Sequence, residues 1–117
     1  MVYEYPAEVL SVYDGDTITV DIDLGYKVHV RDKVRIYGID TPEIRTRDKE
    51  EKRRGYEAKK FLHSFIFGKK VTIKTHKQEK YGRILADVFL EEDGTKINIA
   101  EEMIKNEYAV EYYGGKR

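Results

Sequence analysis

The sequence predicts a small α+β protein, mainly β: a strongly twisted five-stranded barrel with a helix after the third strand and another near the C-terminus. Three observations lead there. Up to residue 40, apolar and polar residues alternate with period two, interrupted by short glycine turns. From Tyr56 to Phe67 the period becomes helical, with Ala58, Phe61, Leu62, Phe65 and Ile66 on one stripe. After Gly68 the alternation resumes for two more strands.

Glu8 to Tyr13 alternates as the first strand, with Val9 and Ser11 on one face and Leu10 and Val12 on the other. Asp14-Gly15-Asp16 is a tight-turn signature in which glycine can adopt positive φ. Thr17 to Leu24 forms the second strand, with Ile18, Val20, Ile22 and Leu24 inward. Gly25 turns the chain, and Tyr26 to Ile39 reads as a long third strand bent near Arg31-Asp32-Lys33. Gly38 lets its backbone bend, and Pro42 ends any pairing because it lacks an amide hydrogen. Residues 44–53 lack an apolar period and read as a mobile, charged loop. A helix is expected to start between Arg54 and Tyr56 and to reach Phe67, with Gly68 just past its end.

Lys70 to His76 is the fourth strand, Gln78 to Gly82 a turn, and Arg83 to Leu90 the fifth strand. Glu92-Asp93-Gly94 turns the chain into Lys96 and Ile97. Asn98, with Glu101 three residues on, caps a helix from Ile99 to about Asn106 that buries Ala100, Met103 and Ile104. Tyr108, Tyr112 and Tyr113 lead to a glycine-rich, flexible end. This order, three strands, a helix and two strands, is that of the oligonucleotide-binding fold, a barrel shared by many functions.

A length of 117 residues suits one domain over 1–117, with no linker or internal repeat. The absence of cysteine excludes disulfides, thiolate metal sites and thiol enzymes. No stretch is long and apolar enough to span a bilayer. Residues 1–6 carry neither a basic start nor an apolar run, so no signal peptide is expected, and the cytoplasm is the default compartment for an untrimmed chain. The net charge of zero hides a division. Residues 45–80 hold thirteen basic residues against five acids, while residues 1–44 hold nine acids against four basic residues. A basic band beside an acidic cluster suits a metal-using, phosphate-binding protein, or simply a solvated helix next to an acidic sheet.

Three separated places matter together: Asp14-Gly15-Asp16-Thr17 opening the second strand, Asp40-Thr41-Pro42-Glu43 leaving the third, and Tyr81-Gly82-Arg83 opening the fifth. The topology lets them meet at one rim. Asp16 and Asp40 with a backbone carbonyl suit Ca²⁺ better than Zn²⁺, because hard ions prefer oxygen. Arg35 and Arg83, from different strands, could grip one phosphate with forked hydrogen bonds. The plainer reading of each segment is a strand, a turn and a surface ion pair.

With Gly55, Glu57 and Ala58, and with Lys80 before Tyr81-Gly82-Arg83, these motifs resemble the staphylococcal nuclease (thermonuclease) family from about Val9 to Tyr113. The resemblance implies a monomeric, Ca²⁺-dependent phosphodiesterase acting on DNA or RNA with low sequence specificity. By position it implies that Asp16, Asp40 and the Thr41 carbonyl bind the ion and that Glu43 orients or deprotonates the attacking water. Arg35 and Arg83 would bind the scissile phosphate, and Tyr81 and Tyr113 would line the nucleotide pocket with Lys80 nearby. The sequence departs from the family in its short Lys77-Gln78-Glu79 turn, its longer hairpin near Glu91 and its end at Arg117, where the type member continues into another helix. Binding-only members of the family often lack some of these side chains. The complete set of Asp16, Arg35, Asp40, Glu43 and Arg83 therefore favours an enzyme over a non-catalytic nucleic-acid- or protein-binding module. His29, His63 and His76 read as structural, and Asp21 and Asp23 as the solvated face of a strand, although Asp21 could lie close to the ion.

Overall fold

A computed structural model describes residues 3–76 and 83–113. Its strands are β1 (Glu4–Asp14), β2 (Thr17–Asp23), β3 (His29–Ile36), β4 (Gly38–Asp40), β5 (Lys70–Thr75), β6 (Ile84–Glu92), β7 (Thr95–Asn98) and β8 (Val110–Tyr112). Helix α1 (Lys49–Ile66) lies between β4 and β5, and α2 (Ile99–Lys105) between β7 and β8. β1 pairs antiparallel with β2 and β5, β2 with β3, and β5 with β6. A parallel pairing of β3 with β6, from Val34↔Ile84 to Ile36↔Ala86, closes the five-stranded barrel. The α+β, oligonucleotide-binding architecture expected from the sequence is therefore present.

The barrel is filled by β-branched side chains, which suit a pleated, buried surface. Ile18, Val20, Ile22, Val34, Ile36, Ile73 and Val88 are all buried. Helix α1 adds Ala58, Leu62 and Ile66, and α2 adds Ile99 and Met103. Burying each large aliphatic side chain contributes about 1.5–3 kcal/mol. Phe61 and Phe65 stay half-buried, Phe61 stacking on Tyr108 with centroids 4.5 Å apart. The Asn98 cap forms, its side chain accepting from Glu101 N at 3.3 Å. Among the described residues, no helix is long and apolar enough to cross a membrane.

Four local expectations need correction. Register shifts between Val9 and Ser11 and between Val12 and Asp14 put bulges into β1. They reset the alternation, so Val9 and Val12 are both buried while Ser11 is exposed. The third strand begins at His29, because Tyr26 and Lys27 take left-handed φ of 52° and 64° in the connection. Leu24, Val28 and Val30 are consequently exposed. β3 runs unbroken through Arg31-Asp32-Lys33, and the chain departs from it at Gly38, whose φ is 92°. Beyond that point β4 leaves the barrel and pairs with β8, Gly38↔Tyr112 to Asp40↔Val110.

The fourth correction concerns the charged segment before the helix. Part of it is the start of α1, at Lys49. Asp48 caps this end, its Oδ1 accepting from Glu50 N at 3.0 Å and Glu51 N at 3.1 Å. Arg53 pairs with Glu50 and Glu57 on the same face. A cap and pairs three and four residues apart support a helical turn that buries little, which apolar periodicity cannot detect. The expected Gln78–Gly82 turn and the terminal residues 114–117 lie outside the described residues.

Candidate active site

The site forms where the β1–β2 turn, the end of β3 and the end of β4 come together. Ile36 N donates to Asp16 O at 2.8 Å, tying the turn to β3. Asp16 N donates to Asp14 Oδ1 at 3.0 Å, closing the turn on itself. Gly15 serves space here and has no positive φ: a Cβ would lie 2.9 Å from Ala58 Cβ and from Thr41 Cγ2. Gly55 does the same from the helix, since a Cβ there would lie 2.8 Å from Pro42 O and 2.9 Å from Glu43 O. The chain thus packs directly on side chains at Gly15 and on backbone at Gly55. Substituting either glycine would push apart the turn, the 40–43 segment and α1.

Asp16, Asp40 and Thr41 are buried, each at most 8% exposed. Arg35 Nη2 lies 3.6 Å from Asp16 Oδ2 and 3.7 Å from Asp40 Oδ1. Its Nη1 donates to Ile36 O at 3.2 Å and to Ile39 O at 3.1 Å, fixing the guanidinium plane. Asp16 Oδ2 also accepts from Thr41 Oγ1 at 3.1 Å, and Asp16 Oδ1 accepts from Thr17 Oγ1 at 3.2 Å. Arg83 Nη1 donates to the same Thr17 hydroxyl at 3.3 Å. One hydroxyl relay therefore joins Arg83 to the Asp16–Arg35–Asp40 cluster. Burial, reinforced by the hydrogen bond and charge of the neighbouring Asp16 carboxylate, pushes the Asp14 carboxyl up to about 7.

Asp16, Arg35, Asp40, Thr41 and Arg83 are thus brought together, and Glu43 is not part of that contact. Its side chain is exposed and lines a groove of about 420 Å³ with Tyr13, Asp14, Arg45 and Lys59, while its amide donates to Glu51 Oε2 at 3.0 Å. Tyr113 is exposed, its ring centroid 5.4 Å from Tyr37, which stacks on His76 at 3.9 Å. Lys80 and Tyr81 lie outside the described residues. His76 Nε2 lies 2.8 Å from Asp87 Oδ2, and His29 Nδ1 lies 3.3 Å from Asp21 Oδ2. Sequence reasoning did not single out the Thr17 hydroxyl, whose only clue was its place in the Asp-Gly-Asp-Thr turn.

The donor set is all oxygen, which suits a hard cation. Among the described residues, no group of three or more His, Cys, Asp or Glu is arranged to hold a metal. An ion at Asp16 and Asp40 would therefore complete its shell with the Thr41 carbonyl and water, as a Ca²⁺ site can.

A family profile described as staphylococcal nuclease homologue matches residues 33–117, which hold Arg35, Asp40, Thr41, Glu43 and Arg83. The chain belongs to the staphylococcal nuclease family. A thermonuclease of Staphylococcus hyicus is 36% identical over 101 residues, covering 85% of this chain and 57% of that protein. An uncharacterized protein of Methanocaldococcus jannaschii is 34% identical over 128 residues, covering 92% of this chain and 59% of that protein. A probable endonuclease of Yarrowia lipolytica is 32% identical over 81 residues, covering 69% of this chain and 36% of that protein. The nuclease-family chain thus spans between about a third and three fifths of the length of these relatives.

Proposed function

We propose that this chain is a single-domain, monomeric, Ca²⁺-dependent nuclease that hydrolyses phosphodiester bonds of DNA and/or RNA with low sequence specificity. The observation that carries this reading is the Arg35 guanidinium held between two buried carboxylates, with Arg83 one hydroxyl away at the same rim. The similarity to a thermonuclease and to a probable endonuclease supports it.

Phosphodiester hydrolysis needs an oriented water and neutralisation of the charge that grows on the phosphate. Arg35 and Arg83 bring two planar guanidinium groups to one rim. The carbonyls of Ile36 and Ile39 hold Arg35 in place before substrate arrives, so little reorganisation accompanies the reaction. Glu43, exposed at the groove mouth, orients or deprotonates the attacking water. Ca²⁺ held by Asp16, Asp40 and the Thr41 carbonyl would supply positive charge beside the phosphate. Tyr113 and Tyr37 offer an aromatic wall to a base, with Tyr81 and Lys80 assigned to the same pocket by their motif.

The test is incubation of purified protein with plain DNA and RNA in Ca²⁺ and then in chelator. Cleavage that appears with Ca²⁺ and stops with chelator is expected. Gel retardation without cleavage in either condition would mean a non-catalytic binding module instead.

A further inference from the structure

We propose that the surface between β1 and α1 is an extension trough for a single polynucleotide strand, with Tyr13 and Tyr56 as base platforms. The inference rests on the nuclease reading, because the strand it describes is the one held at the rim. The groove of about 420 Å³ that begins at Asp14 and Glu43 is lined further on by Tyr13, Arg45, Tyr56 and Lys59. A second hollow, of about 290 Å³, is lined by Tyr56, Lys59, Lys60 and His63. They share Tyr56 and Lys59, so the two hollows adjoin along α1 between the rim and His63. Residues 56, 59, 60 and 63 lie on one face of α1, a run of about 10 Å along its axis.

The trough's chemistry points to an unpaired strand. Tyr13 occupies the β1 bulge between the Val12↔Ile18 and Asp14↔Thr17 pairs, and bulges redirect side chains. Tyr13 is 43% exposed and Tyr56 50% exposed. Lys33 Nζ lies 4.9 Å from the Tyr13 centroid, and Arg45 Cζ lies 5.7 Å from it. Both cations lie over the Tyr13 ring, so a base stacks there by displacing one of them towards a phosphate. Duplex bases are already stacked on one another and cannot use such platforms. The acids of the trough, Asp14 and Glu43, lie at the rim end, and the far end carries Lys59, Lys60 and His63.

The experiment measures fluorescence anisotropy of labelled oligothymidylates of two, four, eight and twelve nucleotides, with chelator present to prevent cutting. Wild-type affinity is expected to climb with length, and Tyr13→Ala with Tyr56→Ala to flatten the climb, weakening the twelve-nucleotide complex about tenfold or more. Tyr13→Phe with Tyr56→Phe restores it. Lys59→Gln with Lys60→Gln on α1 lowers both the affinity and its salt dependence. Lys105→Gln on α2 serves as the charge control and binds like the wild type. Melting curves accompany every variant. Unchanged length dependence in folded ring and lysine variants overturns the trough, as does an equal loss in Lys105→Gln. An equal loss for a duplex of the same length overturns the single-strand assignment. A wild type that neither cuts nor binds removes the nuclease reading itself, whereas one that cuts and ignores the ring substitutions removes only the trough.

Discussion

Arg35 and Arg83 reach the same rim, but their surroundings set different costs for losing them. Arg35 faces two buried carboxylates, and its removal leaves Asp16 and Asp40 repelling each other out of water. Arg35→Ala is expected to lower unfolding free energy by about 3–5 kcal/mol, the scale seen when a buried ion pair loses one partner. Arg83 donates to the neutral Thr17 hydroxyl, and Arg83→Ala is expected to cost less stability than Arg35→Ala. Both should lower turnover by orders of magnitude, and Arg83→Lys should restore little of it, since a point charge replaces a planar fork. Urea melts beside single-turnover assays separate the two effects. Equal stability losses would mean that Arg35 does not compensate the carboxylates. The charged side chains could be singled out in the sequence because a hard ion and a phosphate call for particular residue types. The Thr17 relay could not, because a hydroxyl's partner depends on where distant strands arrive.

Helix α1 positions the 40–43 segment, and its first turns rest on caps and charges. Asp48→Ala should cost about 1 kcal/mol and fray residues 49–54, read by amide exchange. The Arg53 hydrogen bond and charge hold the Glu50 carboxyl below its ordinary value of 4.5. A depressed folded-state value means that this pairing stabilises the helix above the unfolded value and is lost as pH falls through the folded one. Acid should therefore fray the same turns. Gly55→Ala, which would stabilise an open helix, is expected here to destabilise the protein and to shift the Glu43 loop, since the new methyl meets Pro42 O and Glu43 O. A Gly55→Ala variant more stable than the wild type would contradict that packing. The stripe of Ala58, Leu62 and Ile66 was legible because burial follows helical period. The helix start and the β1 bulges were not, since a cap, an ion pair or an extra residue leaves the apolar pattern silent or shifts its phase.

Across the whole molecule, the buried Asp16 and Asp40 carboxylates beside Arg35 are the oxygens proposed to take the ion. Ca²⁺ with a nucleotide bisphosphate should stabilise the fold by mass action, by about 2.7 kcal/mol at a hundredfold excess over Kd, and so raise the melting temperature, and chelator should reverse it. Asp40→Asn should reduce that shift. An unchanged melting curve at millimolar Ca²⁺ plus nucleotide would remove the proposed ion site. The parallel seam that closes the barrel, Val34↔Ile84 to Ile36↔Ala86, also governs how quickly the chain can find its fold. Its two edges lie fifty positions apart, so the chain must give up the entropy of a long loop before the seam returns any contact. Topologies dominated by such distant pairings reach the native state in milliseconds to seconds, far more slowly than helical bundles. If the seam is the nucleus, Ile36→Val and Ala86→Gly will slow refolding in stopped-flow traces and barely change unfolding, whereas substitutions in the local β6–β7 hairpin will do the reverse.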